Sequence, residues 1–351
     1  MIQKGRYFEN GFCNCLNSKA NERRSGMKTK MTKLLGIKYP IMQGGMQHLG
    51  VPKLAAAVSE AGGLGTINVT IYPEPEKLRE AIREVKEQTK NPFAVNISLI
   101  PSLHPGKELF DQVAVILEEG VPVVETAGAS PKELADVLNA HKDQITWIHK
   151  AACVKHAKKA ESMGADLITM AGFEVAGHPH TDGVGTIVLA NRTSREIKVP
   201  VLAAGGIADG RGLLAALSLG CEGIVMGTRF VASRECWIHQ NQKDWIVNAG
   251  ENDTVLCQKT IGNMVRVANN DAAGKCLELE AKGASLEELM SVISGKLGKA
   301  AYESGNVGGG MFAVGPACGL IHQVESCKEI IESIMKEARQ EKKRMEEIWA
   351  E

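Results

Sequence analysis

Short apolar runs alternate with amphipathic stretches along the chain from residue 40 onward. The runs are rich in Val, Ile and Leu and lack a polar residue at every second position. This pattern is typical of parallel strands that are buried on both faces. The runs predict eight strands, at residues 40–44, 63–67, 93–97, 122–125, 146–149, 166–170, 200–204 and 223–227.

The stretches between these runs have helical periodicity, for example at residues 74–88, 132–140, 154–164 and 210–219. Several end at a glycine, which readily terminates a helix in the left-handed conformation: Gly62, Gly120, Gly164 and Gly220. Eight strand–helix units predict an α/β fold of the (β/α)8 (TIM) barrel type. A doubly wound open sheet is the alternative, but it normally has fewer strands and a switch point.

The pattern changes after the eighth predicted strand. Residues 235–305 predict helices without strands, at 240–248, 254–269 and 286–294, and a glycine-rich loop follows at 305–319. A charged amphipathic helix then spans about 324–349, and its charge run at 336–347 indicates a solvated face with i,i+4 ion pairs. We therefore expect a barrel built from residues 32–234 and 306–351, with a helical lid or substrate domain at 235–305.

The first 31 residues lack both hydrophobic periodicity and the apolar core of a secretion signal, so they predict a disordered N-terminal extension. Lys plus Arg and Asp plus Glu both total 41, which leaves no excess positive charge for nucleic acid. No apolar run is long enough for a membrane span. The nine cysteines form no CxxC pair, which favours reduced thiols and a cytoplasmic location.

Two glycine-bearing turns stand where a barrel of this kind binds phosphate. Residues 204–210 (AGGIADG) follow the seventh strand, and residues 226–229 (MGTR) follow the eighth. Each turn leads into a helix, whose free N–H groups and dipole favour an anion. The two turns together predict a phosphate site, without specifying the molecule. No GxGxxG fingerprint follows the first strand, which argues against a Rossmann cofactor domain.

The other strand ends offer further candidate ligands. Gly44 and Gly45 after the first strand would let the backbone approach a flat ligand, although an ordinary tight turn would also use them. The Asn96 amide could bond a polar ring edge. Lys150 could place positive charge beside an anion, or could simply lie on the surface, and its neighbour His149 would then point away from the mouth.

His178 follows a glycine in the loop after the sixth strand, at the predicted catalytic mouth. Its imidazole could act as a base, an acid or a hydrogen-bond donor to a carbonyl. A structural loop histidine is one alternative. A metal site formed by His178, His180 and Asp182 is another, but Pro179 restricts the backbone between the two histidines, so we predict no metal ligands.

These motifs together resemble the nitronate monooxygenase (2-nitropropane dioxygenase-like) superfamily of FMN-dependent TIM barrels. The resemblance covers about residues 35–340, and within the superfamily it is strongest to the NADH:quinone reductase branch. The matching motifs are PIMQGGM (40–46), AGGLGTI (61–67), FAVNISLIP (93–101), VVETAG (123–128), IHK (148–150), GFEVAGHP (172–179), AAGGIADGRGLLAALSLG (203–220) and MGTRFVASRE (226–235). The lid segment GNMVRVAN (262–269) and the loop at 99–105 also match that branch. One departure is Ala171, where the branch has a polar and often acidic residue.

The resemblance implies an FMN-binding oxidoreductase with His178 near the reactive edge of the flavin. It implies flavin contacts from Gly44, Gly45, Met46, Asn96, Lys150, Gly177, Gly205, Gly206, Gly227 and Thr228. The leading hypothesis is hydride transfer from NADH or NADPH through FMN to a quinone-like acceptor, with the loop at 99–109 forming part of the nicotinamide site.

Four alternatives remain open at this point. The first is oxidation of a nitroalkane or its nitronate by O2, with His178 as the base. The second is FMN-dependent reduction of an enoyl thioester such as enoyl-ACP. A metal hydrolase and a flavin-binding protein without catalysis are the others. We expect a small-molecule substrate and neither nucleic acid nor membrane as a partner, and a homodimer is the assembly to test.

Overall fold

The computed structural model describes residues 26–99 and 107–350. Eight parallel strands lie in the order β1-β8-β7-β6-β5-β4-β3-β2, and a parallel bridge between Met42 and Leu64 joins the two ends into a ring. The strands are β1 (Ile41–Gln43), β2 (Gly65–Asn68), β3 (Phe93–Leu99), β4 (Val123–Gly128), β5 (Thr146–Ala151), β6 (Leu167–Ala171), β7 (Val201–Ala204) and β8 (Gly223–Met226). The predicted barrel is confirmed, and the predicted strands differ from these only at their ends.

Helix α1 (Lys30–Leu35) precedes the first strand, and the short α9 (Thr228–Val231) follows the eighth. The helices between successive strands cover the outside of the ring: α2 (Pro52–Glu60), α3 (Pro75–Gln88), α4 (Lys107–Glu118), α5 (Lys132–Ala140), α6 (Val154–Ser162), α7 (Thr186–Glu196) and α8 (Gly210–Ser218). A 3-10 turn also spans Val69–Ile71. The four glycines predicted as helix stops all have positive φ, as a left-handed terminus requires.

The interior of the barrel is filled from its floor upward by side chains at alternate strand positions. The lowest layer contains one apolar residue from each strand or from the position just before it: Met42, Leu64, Ala94, Val123, Ile148, Leu167, Leu202 and Val225. Helix α1 closes this floor, since Met31 and Leu35 belong to the same cluster. Because α1 begins at Lys30 and Met31 is fully buried, the predicted boundary of the extension at residue 31 is wrong. Residues 1–25 lie outside the described part of the chain.

The segment after β8 differs from its prediction. It contains helices α10 (Gln240–Asn248), α11 (Asp271–Ala281), α12 (Leu286–Ile293) and α13 (Gly295–Ser304), but residues 254–269 are not a helix. They form an antiparallel hairpin of β9 (Thr254–Cys257) and β10 (Val265–Ala268). The reason is the turn between these strands, where Gln258 and Gly262 both adopt positive φ and reverse the chain. We call residues 254–268 the lid hairpin.

The C-terminal helix α14 (Cys327–Ile348) returns to the barrel wall, as predicted, and packs on α8 and α2. It begins at Cys327 because Ser326 and Glu329 form a reciprocal capping box. A 3-10 turn, Pro316–Leu320, precedes it. The charge run forms i,i+4 ion pairs on the solvent side, for example Lys343 with Glu347 at 3.9 Å. None of the helices in the described ranges combines the length and the apolarity that crossing a bilayer requires.

Candidate active site at the mouth of the barrel

The two predicted phosphate turns lie side by side. Strands β7 and β8 are parallel neighbours, with Ala204 opposite Val225, so both turns leave the same rim of the barrel. Gly205 and Gly206 have φ values of 107° and 71°, which favour glycine over any residue with a side chain. Asp209 then caps helix α8 by accepting the N–H of Gly212 at 2.7 Å.

Several backbone N–H groups in these turns have no protein acceptor. Across residues 26–99 and 107–350, the N–H groups of Gly206, Ile207, Gly227 and Thr228 donate no hydrogen bond within the chain. Unpaired N–H groups from two adjacent turns, one just before helix α8 and one at the start of α9, form the kind of cradle that binds a phosphate. We call these four groups the amide cradle.

A polar layer lies above the apolar floor of the barrel. Since strand side chains alternate, the residues two positions after the floor residues also face inward, and they include Thr66, Asn96, Glu125, Lys150 and Thr169. Five of the eight positions at this height are polar, whereas branched apolar residues dominate a packed barrel core. This composition favours a polar ligand at this height.

Hydrogen bonds connect part of this layer, and two atoms remain unpaired. The Asn68 amide donates to the Asn96 oxygen at 2.8 Å, and the Asn96 amide donates to Glu125 Oε2 at 2.6 Å. Among the described residues, Glu125 Oε1 and Thr169 Oγ1 are buried without any hydrogen-bond partner. Buried unpaired oxygens are costly, so a ligand with polar edges fits this position better than an apolar one.

The end of β1 joins this polar layer. A Cβ built on Gly45 would lie 2.5 Å from the Asn96 Cβ, so the backbone there runs directly against the Asn96 side chain. The Gly44 N–H donates to the Met226 carbonyl at 3.0 Å, and Met46 lies next to Gly227. The structure therefore brings the predicted glycines after β1, Asn96 and the eighth-strand turn into one place.

Lys150 and His149 face opposite sides of β5. The His149 ring is buried on the outer side, with Nδ1 2.8 Å from the Thr126 hydroxyl. Burial is the largest cause that lowers the His149 pKa to about 4, and the charges of His156 and Lys150 lower it further. The prediction that His149 points away from the mouth is therefore confirmed.

His178 lies in the loop between β6 and α7, and its side chain is exposed. Its pKa is lowered, chiefly because surrounding protein atoms desolvate the ring, and the positive charge of Lys150 acts in the same direction. The side chain of Asn263 in the lid hairpin acts on the pKa in the opposite direction. The shift favours the neutral imidazole, which can accept a proton or donate one hydrogen bond.

The loop that carries His178 is held at both ends. The Glu174 carboxylate accepts hydrogen bonds from the Thr186 N–H at 2.9 Å and the Thr186 hydroxyl at 2.8 Å. Gly177 and Arg266 exchange two backbone hydrogen bonds, at 3.0 and 2.6 Å, which attach the loop to strand β10. The sequence predicted the position of this loop and matched segment 262–269 to the quinone reductase branch. It did not predict that the two segments pair.

The Arg266 side chain strengthens the same attachment. It donates from Nη2 to the Phe173 carbonyl at 3.1 Å, and its guanidinium lies 5.0 Å from the centre of the Phe173 ring. Sequence reasoning missed Arg266, Asn263 and Glu174, because their importance depends on contacts between distant segments. The loop at 99–109 is predicted to form part of the nicotinamide site. Its residues 100–106 lie outside the described part of the chain.

His178, His180 and Asp182, the metal ligands considered from the sequence, do not form one ligand group in the described structure. Among the described residues, the group of three metal-ligating side chains within 4.8 Å of one another is Cys153, His156 and His180. His178 is not a member of it. Asp182 instead contacts the His180 ring, with Oδ2 3.3 Å from Nδ1.

Comparison with known proteins identifies the family. The family model described as nitronate monooxygenase matches residues 28–104 and 102–337. The chain belongs to the nitronate monooxygenase family. The resemblance that the strand-end motifs predict is thereby confirmed, and the chain is an oxidoreductase of this family.

Relatives within this family carry different names. A protein of Rhodococcus jostii, "(3aS,4S,5R,7aS)-5-hydroxy-7a-methyl-1-oxo-octahydro-1H-indene-4-carboxyl-CoA dehydrogenase", is 31% identical and covers 90% of this chain and 96% of its own length. A probable nitronate monooxygenase of Staphylococcus saprophyticus is also 31% identical, with 90% and 98% covered. Among solved structures, FabK from Thermotoga maritima is 39% identical, with a TM-score of 0.85 over 92% of this chain and 99% of FabK.

Nitronate monooxygenase-family enzymes use flavin, and the described residues fit FMN. The amide cradle suits a phosphate, the unpaired Glu125 and Thr169 oxygens suit a polar ring edge, and the glycines after β1 leave room for a flat ring. The nitroalkane oxidase of Streptomyces ansochromogenes, at 23% identity and a TM-score of 0.75 over 90% of this chain and 99% of that chain, shares the fold.

Proposed function

We propose that this protein is an FMN-dependent oxidoreductase whose amide cradle holds the FMN phosphate. The observation that carries the proposal is the set of unpaired N–H groups in two adjacent turns, directly beside the polar layer of the barrel. The flavin ring would extend from the cradle across Gly44, Gly45 and Met46 toward the Gly177 side of the mouth. Asn96 and Lys150 would bond or neutralise its polar edge.

FMN, when bound, would accept hydride from a reduced nicotinamide and transfer it to an acceptor. His178 would then lie beside the acceptor, since its loop closes the mouth together with the lid hairpin. A neutral imidazole can donate its N–H to a carbonyl oxygen and stabilise the negative charge that develops there. Lys150 would add positive charge on the same side.

This role of His178 favours a conjugated carbonyl compound as the acceptor. A quinone-like molecule and an α,β-unsaturated thioester both present a carbonyl oxygen on which charge develops during reduction. The quinone is the candidate from the sequence motifs. The thioester gains support from the Rhodococcus relative, whose name describes a CoA thioester as its substrate.

Oxidation of a nitronate by O2 is the second candidate function. The nitronate monooxygenase family model and the name of the Staphylococcus relative favour it. In this case His178 would remove the α-proton from the neutral nitro compound. The pKa of His178 is lowered, which weakens the imidazole as a base, but the α-proton of a nitro compound is acidified by the nitro group.

Anaerobic mixing of the yellow holoenzyme with NADH or NADPH tests the proposal. Loss of the flavin absorption near ~450 nm is expected, followed by recovery on addition of a benzoquinone or crotonyl-CoA. A flavin that no reduced nicotinamide bleaches would exclude the hydride-transfer function. Nitrite release from propionate 3-nitronate in air, without any nicotinamide, would assign the second candidate instead.

A further inference from the structure

A second group of reactive side chains lies at the rim of the barrel, beside the His178 loop. Cys153 caps the N-terminus of helix α6 directly after strand β5, and His156 lies in the first turn of that helix. His180 comes from the loop after β6. One ligand atom from each of the three lies within 4.8 Å of the other two.

Local sequence and loop geometry explain why these residues meet. Positions three apart in a helical turn face the same side, which brings Cys153 and His156 together. The rings of His156 and His180 meet edge to face, with centroids 6.0 Å apart and an interplanar angle of 71°. All three side chains have access to solvent, so an ion could enter without opening the core.

One thiol and two imidazoles match the ligand preferences of Zn²⁺. A regular tetrahedral zinc site places its ligand atoms about 3.5 Å apart, so modest side-chain rotations would close this group around an ion. An edge contact between two histidines beside an unrelated cysteine is the simpler interpretation of the same geometry. The environment of His180 distinguishes the two.

Asp182 is placed as an outer partner of this group. Its Oδ2 lies 3.3 Å from His180 Nδ1, and its backbone N–H donates to the same nitrogen at 3.2 Å. Nδ1 accepts this N–H in the tautomer that carries its proton on Nε2. When Nε2 binds an ion, the proton lies on Nδ1 instead and is donated to the Asp182 carboxylate, the arrangement found behind metal-bound histidines. The Cys153 thiolate and the Asp182 carboxylate together would neutralise the two charges of the cation.

We propose that Cys153, His156 and His180 bind one Zn²⁺ ion, with water in the fourth position and Asp182 behind His180. Binding forms one Zn–S and two Zn–N bonds and releases the Cys153 thiol proton to solvent. Because His180 is two residues from His178, the ion fastens the His178 loop to helix α6. The proposal does not depend on the identity of the electron acceptor.

Zinc analysis of the tag-free, full-length holoenzyme tests this site. The protein is stripped with a chelator, dialysed against micromolar ZnCl2 and assayed for bound zinc by mass spectrometry. One zinc per chain is expected. X-ray absorption at the zinc edge should show one sulfur at about 2.3 Å and nitrogen ligands at about 2.0–2.1 Å.

Matched variants assign the ion to these residues. Cys153→Ser and His156→Asn should each lose the zinc, while Asp182→Asn should weaken its binding about 10–100-fold. Two control variants should keep the zinc. The Cys13→Ser/Cys15→Ser double variant removes another pair of thiols that are close in sequence, and His322→Asn removes an exposed histidine outside the group. His156 is exposed, so its variant tests the site even if Cys153→Ser loses its flavin. Absence of bound zinc, or loss of zinc only in the Cys13/Cys15 variant, would overturn the proposal.

Discussion

At the scale of single residues, the mouth of the barrel depends on positions where a side chain has no room. Gly45 runs against Asn96, and Asn96 is fixed from two sides by its bonds to Asn68 and Glu125. The close approach therefore cannot relax by moving the amide without breaking the polar layer. This constraint cannot be read from the glycine alone, since an ordinary tight turn uses the same residue.

Replacing Gly45 with alanine should damage both the fold and cofactor binding. The new methyl group would overlap Asn96, and overpacking of this kind costs about 1–3 kcal/mol in the free energy of unfolding. FMN affinity, measured by the quenching of its fluorescence, should fall at least tenfold. Gly274→Ala is the control: nothing lies near its added Cβ, and alanine should stabilise helix α11 by up to about 1 kcal/mol. Wild-type FMN affinity in Gly45→Ala would show that the close approach of Gly45 to Asn96 does not shape the cofactor site.

His149 makes the stability of the protein depend on pH. Its pKa is about 4 in the folded chain against 6.5 for an unperturbed histidine, so the unfolded chain binds the proton first. Stability should be complete above pH 6.5 and should decrease as the pH falls toward 4, by roughly 3 kcal/mol from this group. Urea unfolding at a series of pH values measures the slope.

The His149→Gln variant isolates this contribution. The lowered pKa values of His48 and His178 give the wild-type protein further acid sensitivity of the same sign. These groups are present in both proteins, so the difference between the two slopes reports His149. Equal slopes between pH 6.5 and 4 would show that His149 is not held neutral by burial beside Thr126.

At the scale of elements, the barrel could be predicted from sequence and the lid hairpin could not. The barrel strands are recognisable in the sequence as repeated apolar runs, each followed by a helical pattern. Residues 254–269 contain one mixed stretch of apolar and polar residues that fits a helical pattern about as well as two short strands. The available signals were the β-branched residues of 265–267 and the Gly262-Asn263 pair, which marks the turn.

Arg266 should control the order of the His178 loop through the lid hairpin. In Arg266→Met the backbone pairing with Gly177 remains possible, but the bond to the Phe173 carbonyl and the stacking on its ring are lost. The Gly177 N–H should then exchange with solvent at least tenfold faster in hydrogen-exchange mass spectrometry, and kcat/KM should fall. Lys259→Met, an exposed change on the same hairpin, should alter neither quantity. Unchanged exchange in Arg266→Met would show that the hairpin does not hold the loop through this side chain.

At the scale of the whole molecule, closure of the ring decides which distant residues meet. The phosphate turns could be placed together from sequence because the position of such sites in a barrel is general. The polar layer of Asn96, Glu125 and Thr169 needed the strand register, since a shift of one residue would turn each of these side chains outward. The homodimer and the cytoplasmic location stay predictions.

A crystal structure of the FMN-loaded protein would show directly whether the amide cradle holds the cofactor. The FMN phosphate is expected within about 3 Å of the amide cradle nitrogens, a normal N–H···O distance, and the flavin ring between Gly45 and the Gly177 side of the mouth. A phosphate bound elsewhere, or a barrel that takes up no flavin at all, would contradict this expectation.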